Sequence, residues 1–421
     1  MGCYGFERPT TPAIDAFASD PDSVVFRTYY VHGAWTKPST ASLFTGLYVH
    51  QHGVLTGHDP TGNPAGNEPR TYTTQILADS HETIAERMQA AGYFTVGVVK
   101  SRHLVSKYGF AQGFDEYRGP GQAPGGDPGR VEALLDLAER SGRKPFFGYL
   151  HLNACHHPFK PRERDRDYMS MFSFDYDEEA RQRVGVDFTT AEIGDAIGSG
   201  SLDLEPDDVR FLNLVYEAQL RSVDRRLVAP LLEGLRKRNM YENTLLLLTA
   251  DHGEELYDHQ GYDHGHAVWE ELVHVPLIVK FPNGRRPEQL GREVSGLTRS
   301  VDFIPAILNF IGAPVRDDLP GTPFLRGVFG DESISQTRNE WALVSGEYKL
   351  IARSDEPPRL YHLSSDPTEQ HDIAAEEPDL VERLQSRLED LLLAGATEAP
   401  RIDDRLTPEA EANLRALGYL R

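Results

Sequence analysis

Short apolar runs alternate along the chain with segments of helical spacing, a pattern that predicts an α/β fold with a large mixed, mostly parallel sheet flanked by helices. YFTVGVV reads as a buried strand and PFFGYLHLN, from Pro145, as a second. TLLLLTADHG, from Thr244, is the strongest, an apolar run ending abruptly in Asp251-His252-Gly253. Asp79 with Glu82 three residues on opens a helix in which Ile84 and Met88 share a face and Gly92 closes the turn. Residues 207–238 place Leu212, Val215, Leu220, Val223 and Leu227 near helical spacing, with a kink or break expected at Pro230. The polar stretch from Pro158 to Pro206 reads as a long, lid-like insertion. After about residue 335, WALVSGEYKLIARS and RLYHLSSDP predict short antiparallel strands, and a helix follows from about Pro378 to Leu393. The expected division is a large α/β domain over 1–335, a small antiparallel-sheet plus helix subdomain over 336–395, and a tail over 396–421.

A length of 421 residues, 39% of them hydrophobic, suits one large domain with a smaller one attached. The formal net charge of -22 argues against a nucleic-acid partner, which needs clustered Lys and Arg. With Cys3 and Cys155 alone, neither a disulfide framework nor a Cys-based zinc site is expected. No apolar run reaches the ~18 residues of a membrane span, so no integral membrane segment is expected. The opening MGCYGFERPTTP lacks the apolar core of a signal peptide, and Phe6 stands where an N-myristoylation motif wants Ser or Thr. A cytoplasmic location is the expectation from that absence.

Two constellations carry candidate chemistry. Asp251 and His252 stand where a strand ends, the usual ligand-binding rim of an open α/β sheet. A carboxylate beside an imidazole makes a metal corner there; a structural turn is the alternative. His259, His264, His266 and His274 follow closely, with His259 and His274 read as packing residues. The second is AWTKPSTASLFTGLYVHQHGV, from Ala34, with hydroxyls at Thr36, Ser39, Thr40, Ser42 and Thr45. Pro38 and the small residues after it suggest a loop running into a helix whose N-terminus binds an anion, with Lys37 adding charge; a Ser/Thr-rich helix cap is the alternative.

Together these segments resemble the sulfatase family of the alkaline phosphatase superfamily. Thr36-Lys37-Pro38-Ser39-Thr40, then Leu43-Phe44-Thr45-Gly46 and His52-Gly53-Val54, match a signature that runs Cys/Ser-x-Pro-Ser-Arg, Leu-Thr-Gly and His-Gly-Val. GCYGFERPTTPAID resembles the segment after the family's first metal-binding strand. GYFTVGVVKSRHL resembles the segment bearing a substrate-site Lys and His, although its Gly-Lys-x-His spacing is stretched here by one residue. HLNACHHPFKP is similar to the His-x-Pro-Tyr loop, TADHGEEL to the metal-binding corner, and DHGHAVWEELVHVPLIVKFP to the stretch ending in Val-Pro-Leu. SVDFIPAILNFIGAP, EYKLI and LYHLSSDPTEQHDI resemble the end of the core and the C-terminal subdomain. The ordered set spans nearly the whole chain.

The resemblance implies a metal-dependent ester hydrolase. It puts Thr36 at the nucleophile, with Lys100, His156 and His264 as further catalytic groups. Lys37, His103 and His266 would bind substrate, and Asp251, His252 and Thr36 would bind a calcium, magnesium, manganese or zinc ion, with His157 and His266 as supports. Two departures matter. Threonine cannot become the formylglycine that sulfatases make from Cys or Ser, so no formylglycine is expected; Thr36 as a metal-bound alkoxide favours phosphate or phosphonate esters. The family's first strand, with one or two metal-binding Asp residues, lies upstream of the segment at which this sequence opens, so the expectation is a start upstream of Met1. A true sulfuric ester hydrolase and a non-catalytic binder of anionic esters are the alternatives.

Overall fold

In a computed structural model, described here for residues 1–61, 71–153, 155–157, 168, 171, 192–407, 411–412 and 414, the chain is an α/β protein. The sheet is mixed. Phe94–Val99 pairs in parallel with Glu116–Arg118 on one side and Phe146–His151 on the other. Ser23–Phe26 instead runs antiparallel to Leu277–Lys280, which runs antiparallel to Leu246–Thr249. The mostly parallel part of the expectation therefore holds for the first group, for the short Glu293–Val294 edge and for Tyr29–Tyr30 beside Thr298–Arg299. Alternating apolar runs report burial on both faces, not strand direction.

Among the described residues, Phe146–His151 is paired on one side only, and so is Leu246–Thr249. Leu150, Leu152, Leu246 and Leu248 pack on one cluster, whereas Phe147, Tyr149, Leu245 and Leu247 pack on another. The two strands thus lie in one layer with the same facing, and their carboxyl ends meet through His151 and Asp251. Their residues are half-buried where those of Leu277–Lys280 are fully buried. Unpaired edges leave backbone groups open to exchange. Amide exchange is expected to be faster in Phe146–His151 and Leu246–Thr249 than in Phe94–Val99 and Leu277–Lys280; equal protection would mean that both edges are covered.

Helix boundaries follow local chemistry. The helix expected to open at Asp79 opens at Ile84, because Thr83 accepts from the Glu86 amide and the Glu86 carboxylate accepts from the Thr83 amide. The long helix does not break at Pro230. Pro206–Val223 continues through a π-turn at Asp224–Val228 into Ala229–Lys237; the π-turn holds Arg226, four residues before Pro230, whose carbonyl the proline has no N–H to reach. Buried Asp224 accepts from the amides of Ala13 and Ile14, capping the Pro12–Ala18 helix. Most of the Pro158–Pro206 insertion lies outside the described residues; a helix spans Glu192–Gly198.

Four antiparallel strands, Glu332–Gln336, Glu340–Ser345, Tyr348–Arg353 and Arg359–His362, form a separate sheet backed by the Pro378–Leu393 helix. Beyond it Arg401–Arg405, expected to be tail, pairs antiparallel with Thr71–Gln75. Among the described residues no helix is long and apolar enough to cross a membrane.

Candidate active site

Thr36 is the first residue of the Thr36–Thr45 helix, so its hydroxyl sits among first-turn amides that have no partner within the helix, at the positive end of the helix dipole. Ser42 Oγ lies 3.0 Å from His52 Nε2, and Thr45 donates to the Ala41 carbonyl, so these hydroxyls serve the helix. Thr36 Oγ1, buried, lies 3.3 Å from His252 Nε2. Asp251 Oδ2 lies 3.2 Å from His151 Nε2 and 3.8 Å from His252 Nε2. Gly253 closes this corner for a steric reason: a Cβ there would stand 1.7 Å from the Glu271 carbonyl oxygen.

The electrostatics follow from burial and neighbours. Burial opposes charge on Asp251, but His252 and His151 outweigh it, with hydrogen bonds from His151 and Thr36, and hold its carboxyl below the usual range. Burial and the repulsion of His264 lower His252, favouring the neutral imidazole that a metal needs. A carboxylate, the His252 imidazole and a hydroxyl converging at a strand end are donors suited to a divalent cation.

A histidine cluster adjoins this corner. The His264 ring lies 4.1 Å from His252 and 4.7 Å from His156, centroid to centroid. His264 Nδ1 is 3.0 Å from Glu254 Oε1 and 2.7 Å from Asp263 Oδ1. Burial disfavours its charge, yet these carboxylates raise His264 well above the ordinary imidazole value. His156 is lowered by burial and by its neighbours His264 and His157. His156, His157, His264, Glu254 and Asp263 together form clusters of metal-ligating type.

The structure thus brings Thr36, Asp251, His252, His156 and His264 together. His103 is buried nearby, its ring 5.2 Å from that of Trp35, the residue before Thr36. The others point elsewhere. Lys37 is fully buried, donates to Thr74 Oγ1 at 2.7 Å, and is lowered to about 7 by burial. Lys100 is half-exposed and pairs with Asp127 at 3.3 Å. His266 Nε2 lies 2.7 Å from Glu255 Oε2. His259 stacks on Trp269, and His274 pairs with Glu270. Sequence reasoning missed His151, Glu254 and Asp263. His151 carried a usable signal, since it ends a strand as Asp251 does.

The sulfatase family model matches residues 1–313. The chain belongs to the sulfatase family. An N-acetylglucosamine-6-O-sulfatase from Bacteroides thetaiotaomicron is 25% identical, over 81% of this chain and 70% of that protein. An uncharacterized Escherichia coli sulfatase, YidJ, is 21% identical over 89% of this chain and 80% of that one. Human arylsulfatase K is 24% identical, but the match covers 44% of this chain and 38% of that protein. The fold superposes on a phosphonate monoester hydrolase of Agrobacterium radiobacter with a TM-score of 0.68 at 17% identity, covering 97% and 96% of the two chains. A structure holding its substrate D-glucosamine-2-N,6-O-disulfate superposes with a TM-score of 0.67 at 20% identity, covering 93% and 94%. The sulfatase-family protein described here is a hydrolase of the alkaline phosphatase superfamily, a group acting on anionic esters.

Proposed function

We propose that this sulfatase-family protein hydrolyses a sulfate ester, with Thr36 as an unmodified nucleophile. The Thr36 hydroxyl against His252, beside Asp251, is the observation that carries the reading. The relatives named as sulfatases support sulfate over phosphate. The sulfated glucosamine in two of their names makes a sulfated sugar the first substrate class to try. A second reading, a phosphate or phosphonate ester, is favoured by Thr36 itself, which cannot become formylglycine.

In this mechanism Thr36 Oγ1 gives up its proton to solvent as it ionises and attacks the sulfur (or phosphorus), and the ester oxygen leaves on the opposite side. Asp251 and His252 would hold a divalent cation, which supplies Lewis acidity and eases ionisation of a neighbouring hydroxyl. First-turn amides of the Thr36–Thr45 helix and the imidazoles of His156 and His264 neutralise charge on the transferred group. Protonation of the leaving oxygen falls to His156 or His264. Water then releases the group from Thr36.

Matched aryl sulfate and aryl phosphate, assayed with added divalent metal, test the choice. Faster sulfate turnover supports the main reading, faster phosphate turnover the second, and binding without turnover of either would favour a non-catalytic ester binder. His264→Gln is expected to lower kcat by about 10²–10⁴-fold, and least for an ester whose leaving group is already a stable anion. A loss that does not vary with the leaving group would assign His264 to binding.

A further inference from the structure

We propose that His157, Glu254, Asp263 and His264 form a binding site for a zinc-class dication, distinct from the Asp251/His252 corner. One ligand atom from each of the four lies within 4.8 Å of all the others. Asp263 Oδ1 lies 2.7 Å from both His157 Nδ1 and His264 Nδ1, and Glu254 Oε1 lies 3.0 Å from His264 Nδ1. His157, Glu254 and His264 side chains are 2%, 5% and 2% exposed, and Asp263 is 26% exposed.

His264 Nδ1 and Glu254 Oε1 are hydrogen-bonded. His157 Nδ1 and Asp263 Oδ1 are both buried and 2.7 Å apart, yet not aligned as a hydrogen bond. A hydrogen bond needs the N–H to point along one donor–acceptor line. Ligands instead aim lone pairs at a common point. Zinc bonds of the usual length in a tetrahedron set ligand atoms about 3.3 Å apart, between the 2.7 Å of the closest pairs and the 4.8 Å that bounds the cluster.

The chemistry of the donors fixes the class. Two imidazole nitrogens and two carboxylate oxygens suit zinc and its transition-metal neighbours, whereas calcium and magnesium prefer oxygen alone. Asp263 reaches the cluster from a left-handed backbone, at φ 80°, an uncommon conformation that Asp tolerates better than most residues. It pairs with Glu255 across the Glu255–Leu256 and Tyr262–Asp263 ribbon, which keeps its carboxylate beside neighbouring Glu254. The rings of His264 and of His252, which contacts Thr36, lie 4.1 Å apart, centroid to centroid. The ion would take His264 through Nδ1 and leave its Nε2–H for the ester, so the site does not depend on which ester the enzyme cleaves.

Metal-free full-length protein titrated with zinc, and separately with cobalt(II), tests this site without any assay of activity. Wild type is expected to bind one zinc equivalent that Asp263→Asn has lost or binds more than about 100-fold more weakly. Asp251→Asn should keep that equivalent, together with the intense visible bands of four-coordinate cobalt. Should Asp263→Asn not fold, His157→Gln reads the same quantities from a ligand outside the ribbon. Unchanged zinc stoichiometry and affinity in the folded variant, or cobalt bands lost on Asp251→Asn alone, would overturn the proposal.

Discussion

Thr36→Ala is expected to lower turnover of the preferred ester by about 10³-fold or more, because among the described residues no other hydroxyl stands against His252. Stability should change by no more than about 1 kcal/mol, the worth of one buried hydroxyl contact. Thr36→Ser, which keeps the oxygen, should retain much of the activity. Steady-state rates with the thermal midpoint of each variant separate loss of the nucleophile from loss of the fold. A Thr36→Ala protein of normal stability that still turned over near the wild-type rate would mean that another group, or water, attacks.

Lys349→Met should produce the largest loss of stability. Lys349 is fully buried on Tyr348–Arg353, and its ammonium lies 2.9 Å from Glu270 and 2.9 Å from Glu369. Glu270 also accepts from Tyr30 and sits 2.9 Å from His274, so this network ties the antiparallel sheet to the α/β core. Removing the ammonium leaves two buried carboxylates without their cation, at a cost of about 3–5 kcal/mol measurable by denaturant unfolding. The pH dependence follows from Glu270. Burial resists its charge, but Lys349 and His274 prevail and hold it at about 2, against an ordinary 4.5. A depressed carboxylate contributes stability above its unfolded value, and that stability is lost as pH falls from about 4.5 through about 2. Burial outweighs Lys349 at Glu369 and raises it, so the acid lability of the network is assigned to Glu270. Lys349→Met should flatten the stability profile in that acid window; an unchanged slope would place the acid sensitivity elsewhere.

The parts of the site legible in the sequence were those fixed by local pattern. An apolar run ending in Asp251-His252-Gly253 announces a strand end, and hydroxyl-rich residues after Trp35 announce a helix start. Lys37 shows the limit of that logic. Its neighbour Thr36 faces His252 while its own side chain turns into the core toward Thr74, a choice made by residues 37 positions away. His151 reaches Asp251 across 100 residues, and no local period encodes that contact. Asp263 was hidden for a different reason, since its position depends on a left-handed residue in a short ribbon. Local rules did place the disturbance in the long helix: the π-turn at Asp224–Val228 spans the turn before Pro230, where a proline removes a helical hydrogen bond, although the helix goes on rather than stopping. Strand direction was out of reach, because Ser23–Phe26 and Leu277–Lys280 are buried on both faces and read alike whether parallel or antiparallel.

The most direct test of covalent catalysis at Thr36 is rapid-quench mass spectrometry during turnover of the faster ester. The account predicts that the peptide carrying Thr36 transiently gains the mass of one sulfuryl or phosphoryl group, and that the modified residue is Thr36. Steady turnover with that peptide unmodified at every time point, or a label on a different residue, would contradict it.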